Sequence, residues 1–232
     1  MRFFSSLVRP DESTGAVMRW VHRIWVFFWL TVLGAGIGLL SLYLTAHSYA
    51  AIDATALLQS YFKIPLLVVM NLLAPVLLVY LGFFLFARPW AAYLLSALPF
   101  LTLALASYYK VQLRGDPVLA SDLLLLRTAG GIMSQYEFER TAEVNMAVAL
   151  LGAMLAFAVL LMPRGDKRRR VRALGAAACV LLGVGAYLGA YTDEAVYGRT
   201  ANDSLINIWS DNEVYLSRGF ALSFLHSVPE LF

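Results

Sequence analysis

Three arginines, Arg114, Arg127 and Arg140, fall in one stretch of mixed polarity, LRGDPVLASDLLLLRTAGGIMSQYEFER (Leu113 to Arg140), together with Asp116, Ser121 and Asp122. Guanidinium groups hold phosphate oxygens through paired N–H donors, so these side chains can bind a phosphate or a lipid headgroup. Equally, they can pair with the neighbouring acids and merely anchor the stretch. Asp116 and Asp122 are two carboxylates with no histidine beside them, a weak basis for a metal site. His22, His47 and His226 are far apart, and the single cysteine, Cys179, lies in an apolar run. Neither an internal disulfide nor a thiol–metal cluster can be assembled from these residues. The chain contains no G-x-S-x-G and no H-E-x-x-H, and nothing marks one of its many hydroxyls as an activated nucleophile. Taken alone, it carries no catalytic arrangement.

The elements that must position this stretch are apolar helices. Of 232 residues, 60% are hydrophobic and 14% charged, against about a quarter charged in soluble domains. Apolar runs of membrane-crossing length are expected over Ile24–Leu44, Ile64–Phe86, Trp90–Tyr109, Val144–Met162 and Val171–Tyr191. The expected fold is an all-α membrane protein of five transmembrane helices. Its N-terminus is residues 1–23, its membrane domain 24–192, and its amphipathic tail 193–232. Trp20, Trp25 and Trp29 stand at the start of the first run, where indole rings favour the interface. That run is too long for a signal peptide, and further spans follow it. Pro75 and Pro99 interrupt the second and third spans; such kinks are either absorbed by neighbouring helices or open a cavity between them. Gly34-x-x-x-Gly38 and Gly185-x-x-x-Gly189 fit close helix–helix approach.

Between the third and fourth spans, residues 113–140 read as a helical hairpin lying at the interface. Ser121 is the expected N-cap of a short helix ending at Gly130-Gly131, and Ser134 with Glu137 a capping box for a second. Asp122 is expected to cap or to pair with an arginine. Thr141 should cap the fourth span, with Glu143 in its first turn.

Charge sets the orientation. Residues 1–23, 87–89 and 163–172 hold eleven of the eighteen Lys/Arg and three of the fifteen acids. The positive-inside rule puts that side in the cytoplasm. The hairpin and the tail then share the outer face.

Arg114-Gly-Asp-Pro117 followed by Ser121-Asp-Leu-Leu124 resembles the external loop of lipoteichoic-acid-synthase-like proteins, which reads roughly R-G-x-P-l-x-P-x-D. Asn207-x-Trp209, Tyr215 and Gly219-Phe220-x-x-Ser-Phe-Leu225 are similar to the segment after that family's fifth span. The resemblance covers the topology of the whole chain and motifs over some 40 residues; Ala120 departs from it, standing where a second proline is usual. It implies a bacterial membrane domain feeding an extracellular sulfatase-like domain with a threonine nucleophile and a divalent metal, commonly manganese. That domain would transfer glycerol phosphate from phosphatidylglycerol to a glycolipid-anchored polymer. None of its catalytic residues has a counterpart in this chain, so the expectation is that the sequence continues past Phe232.

Three functions follow from these readings. In the first, the chain is the membrane domain of a phosphoglycerol transferase, with Arg114, Asp116, Ser121, Asp122, Arg127 and Arg140 positioning the lipid headgroup. In the second, it is a free-standing non-catalytic lipid-binding or scaffold subunit that recruits a separate partner through Trp209, Tyr215, Phe220 and Phe224. In the third, it is a transporter, which the scarcity of ionisable residues in the spans disfavours. Nothing in the sequence points to nucleic acid.

Overall fold

The computed structural model describes residues 16–125, 139–163, 165, 168–202 and 211–231. The described residues are mainly helical, with no strand among them. The long helices are α1 (Ala16–Ala46), α3 (Pro65–Phe86), α4 (Pro89–Arg114), α5 (Ala142–Leu160) and α6 (Arg169–Ala186), the last continued by a π-helical turn, Tyr187–Tyr191. Shorter helices are α2 (Ala54–Phe62), α7 (Glu194–Gly198), α8 (Asp211–Arg218) and α9 (Phe220–His226), with 3₁₀ turns at Ala120–Leu125 and Val228–Leu231. Five helices are long and apolar enough to cross a membrane, which makes the chain a multi-pass membrane protein.

Local chemistry fixes the boundaries. Asp53 caps α2 by accepting from the Thr55 and Ala56 amides, and the Thr141 hydroxyl accepts from Val144 at the start of α5. Pro65 and Pro89 open α3 and α4, where a missing N–H costs nothing. The third span runs to Arg114, five residues beyond its expected end, and stops at Gly115 with φ of +79°. It can run on because Lys110, on its last turns, is neutralised by Asp122.

The three central helices, α1, α3 and α4, pack on one another, while α5 lies against α4 and α1, and α6 against α3. The shares of each span buried make the same division: 44%, 39% and 44% for the central three, 17% for α5 and 6% for α6. Glycine explains the tight α1–α3 contact. A Cβ on Gly34 would meet the Val76 backbone at 2.5 Å, and one on Gly38 would meet the Asn71 carbonyl at 2.8 Å. The first G-x-x-x-G is therefore a packing motif. Gly185 and Gly189 have no neighbour within 4 Å among the described residues, so the second has no partner helix within the described chain.

At the basic end, the Arg172 guanidinium donates to the carbonyls of Phe84 and Leu85, and the Gly165 amide donates to Ala87. These bonds satisfy the last carbonyls of α3, which have no partner inside their own helix. Beside Pro75 the Ser96 hydroxyl donates to the Pro75 carbonyl at 2.9 Å and ties α4 to α3. Pro99 instead lines an apolar crevice of about 420 Å³ beside α6, with Ala74, Leu103, Val180, Tyr191 and Phe224 among its walls.

Candidate functional site

The hairpin segment and the tail meet at the end of the bundle opposite the basic loop. The Ala120 amide donates to the Ser227 hydroxyl at 3.0 Å, and the two 3₁₀ turns pack together. Asp122 organises the first turn: one carboxylate oxygen accepts from the Leu119 amide and from Lys110 Nζ, each at 2.8 Å. The Lys110 ammonium also donates to the Pro117 carbonyl. Asp122, expected to cap or to pair with an arginine, caps from within the turn by reaching back to the Leu119 amide, its ionic partner is a lysine, and Ser121 lies inside the turn instead of before it. The reason is geometric, since Asp122 is three residues past Leu119 and also faces α4. Ser121 is half-buried, and Arg114, Asp116 and Arg140 are exposed. Among the described residues these last three form no ion pair, and no three His, Cys, Asp or Glu side chains gather as metal ligands. Arg127, Gly130, Gly131, Ser134, Glu137, Asn207 and Trp209 lie outside the described residues.

The tail is built into the bundle. Helices α8 and α9 are two halves broken at Gly219, which has φ of +84° and ψ of 161°. A side chain there would collide with Leu42 and come within 2.8 Å of Asn71 Oδ1. Such a break leaves orphan carbonyls on α8 and orphan amides on α9, and residues of the bundle take them up. Tyr61 donates its hydroxyl to the Leu216 carbonyl, and Asn71 Nδ2 donates to the Arg218 carbonyl at 2.8 Å. The Phe220 amide donates to Thr45 Oγ1, and the Leu222 amide to Asn71 Oδ1, each at 3.2 Å. Asn71 is six residues into α3, about 9 Å along the helix at 1.5 Å per residue. At such depth a backbone without water must find its partners in protein.

Tyr215 and Phe220 are each 1% exposed, in contact with the bundle's own core. Phe224 is half-buried and stacks on Phe220, their ring centroids 5.4 Å apart. These aromatics, expected to offer a surface to a partner, face inward. The tail therefore belongs to the bundle over its described length.

A second polar cluster lies beside them. Arg218 stands over the Tyr197 ring, its guanidinium carbon 4.1 Å from the centroid, and His226 stacks on Tyr197 at 3.5 Å. His226 Nδ1 lies 2.7 Å from the Tyr191 carbonyl and therefore carries the donated proton, while Nε2 is 3.7 Å from Glu194. Burial raises the Tyr197 phenol's pKa, partly offset by Arg218 and Ser223 beside it. Arg218 Nε and Ser223 Oγ are buried without a hydrogen-bond partner. Sequence reasoning missed this cluster, because Tyr197, Arg218 and Ser223 share no recognisable spacing; the signal it left is a lone Asn71 inside an apolar span.

Comparison with protein-family models, curated proteins and solved structures found no match for this chain. The functional reading therefore rests on the residues themselves.

Proposed function

We propose that the chain is the membrane domain of a lipoteichoic-acid-synthase-like phosphoglycerol transferase, holding its lipid substrate at the outer face of a bacterial plasma membrane. The observation that carries this reading is the joining of its two motif segments. The Arg114–Leu124 segment is tied through its Ala120 amide to Ser227, 107 residues further along and two past the Gly219–Leu225 segment. Support also comes from charge: the end they occupy is the one with the acidic excess, so the positive-inside rule turns it outward and leaves the N-terminus cytoplasmic. The lipid partner is phosphatidylglycerol or a glycolipid. An extracellular catalytic domain, in the same polypeptide or as a separate one, supplies the chemistry and its divalent metal, manganese being the family's common choice. Arg114 and Arg140, exposed at that end, would receive the headgroup.

The test is the reading frame and its product. Several hundred residues of α/β sequence with an acidic metal motif should follow Phe232. The full protein should release diacylglycerol from labelled phosphatidylglycerol when manganese is present. A stop codon at that point, with no soluble partner recovered alongside the chain, would overturn the reading.

A second reading, a free-standing lipid-binding subunit, is favoured by the tail, whose described residues complete the bundle instead of projecting as a linker. It predicts that the 232-residue chain is stable and retains lipid with no partner present.

A further inference from the structure

The Tyr197 cluster has the composition of a headgroup site, one distinct from the exposed arginines of the hairpin segment. Arg218 is 7% exposed and Ser223 6%; Arg218 Nε is a buried donor with no acceptor, and Ser223 Oγ, beside the Tyr197 phenol, meets no partner in hydrogen-bond geometry. An unsatisfied buried donor costs on the order of 1–3 kcal/mol, more when it is charged. Such a cost is tolerated where a ligand removes it. The missing partner is an acceptor with several oxygens and negative charge, since a guanidinium gains most from charge-assisted bonds. Among the described residues no carboxylate pairs with Arg218. Glu194, an acid near Tyr197, is 85% exposed and faces His226.

The surroundings identify where the anion comes from. The Arg218 carbonyl is bonded to Asn71, well inside the span of α3, and an ionisable group at membrane depth calls for a partner. Tyr191 bonds the Met70 carbonyl, accepts His226 on its own carbonyl, and also walls the apolar crevice. Helix α9 connects the two features: Phe224 and Leu225 enter the crevice, while Ser223 and His226 stand by Tyr197. A soluble anion would have to leave water to reach these donors. A lipid arrives laterally with its chain in the crevice and its phosphate at the donors.

We propose that Arg218, Tyr197 and Ser223 form the headgroup site for an anionic phospholipid whose acyl chain lies in the crevice between α4 and α6. The site deepens the lipid-positioning part of the proposed function, but its binding test needs no transfer activity, so the two can fail separately.

The experiment is native mass spectrometry on the whole chain, released from nanodiscs of equal phosphatidylglycerol and phosphatidylcholine. Wild type should retain phosphatidylglycerol preferentially. Arg218→Gln should weaken that retention about tenfold, and Ser223→Ala and Tyr197→Phe less, with phosphatidylcholine unaffected. Leu103→Trp, which fills the crevice, should reduce retention of both lipids. Arg199→Gln, an exposed arginine two residues from Tyr197, serves as the control and should match wild type. If Arg218→Gln fails to fold, the Ser223 and Tyr197 variants carry the test. Unchanged preference in every folded variant would assign the orphan groups to a bridging water or a purely structural stack and overturn the proposal. Thermal protection by inorganic phosphate equal to that by phosphatidylglycerol would overturn the lipid assignment.

Discussion

Asn71 does the work of two ordinary caps. Its side chain bonds its own helix at Leu67, the last carbonyl of α8 at Arg218 and an early amide of α9 at Leu222. Asn71→Leu keeps the volume and strands two buried backbone groups, so it should destabilise the docked tail by about 2–4 kcal/mol. Accelerated proteolysis within residues 203–231, with α1 to α6 still resistant, is the expected outcome; unchanged protection would refute the cap. Gly219→Ala should act in the same direction, because φ of +84° and contact with Leu42 both resist a Cβ. Tyrosines add a pH dependence. Burial pushes the Tyr61 and Tyr215 phenols above their usual value, near 10 for a free side chain. A group whose folded pKa is raised stabilises fully below its unfolded pKa and loses that contribution as pH rises through the folded one. The tail should thus stay docked through neutral pH and loosen above about pH 10. Tyrosinate absorbance followed with protease sensitivity would reveal it, and Tyr61→Phe should remove part of the effect.

For the helices, legibility in the sequence followed hydropathy. The five spans were readable because unbroken apolar runs have one physical outcome in lipid. The Thr141 cap was readable because a hydroxyl before an apolar run has a local target. The hairpin turn was read less well: Ser121 and Asp122 are both good caps, and a long-range partner, Lys110, decided between them. The two G-x-x-x-G motifs look alike in sequence and differ in fact, since packing depends on what lies opposite. Gly34→Leu should disrupt the α1–α3 contact and lower the melting temperature sharply, whereas Gly185→Leu should leave the melting temperature of the isolated chain near wild type. A large loss from Gly185→Leu would show that α6 has a helix partner in the membrane. The tail was the least legible element. Its polar residues resemble those of an exposed linker, and only the notch at Thr45, Tyr61 and Asn71 turns them inward.

Across the whole molecule the division is between a three-helix centre and two lightly attached spans. Orientation is a property of this scale. Cysteine placed at 116 should react with an impermeant reagent applied to intact cells, and cysteine placed at 168 should not; the reverse pattern would invert the topology and remove the basis for an outer-face headgroup site.

The bonds that seat the tail also constrain how the protein is made. Thr45 and Asn71 wait for partners 175 and 151 residues further along the chain. A ribosome has therefore delivered every span to the membrane before the segment that closes the notch leaves its exit tunnel. During that interval the notch is an open polar gap among apolar helices, and water, lipid headgroups or an insertion chaperone must occupy it. Assembly of this bundle closes with its α8–α9 segment, and a chain lacking that segment would leave five inserted helices around an unfilled seat.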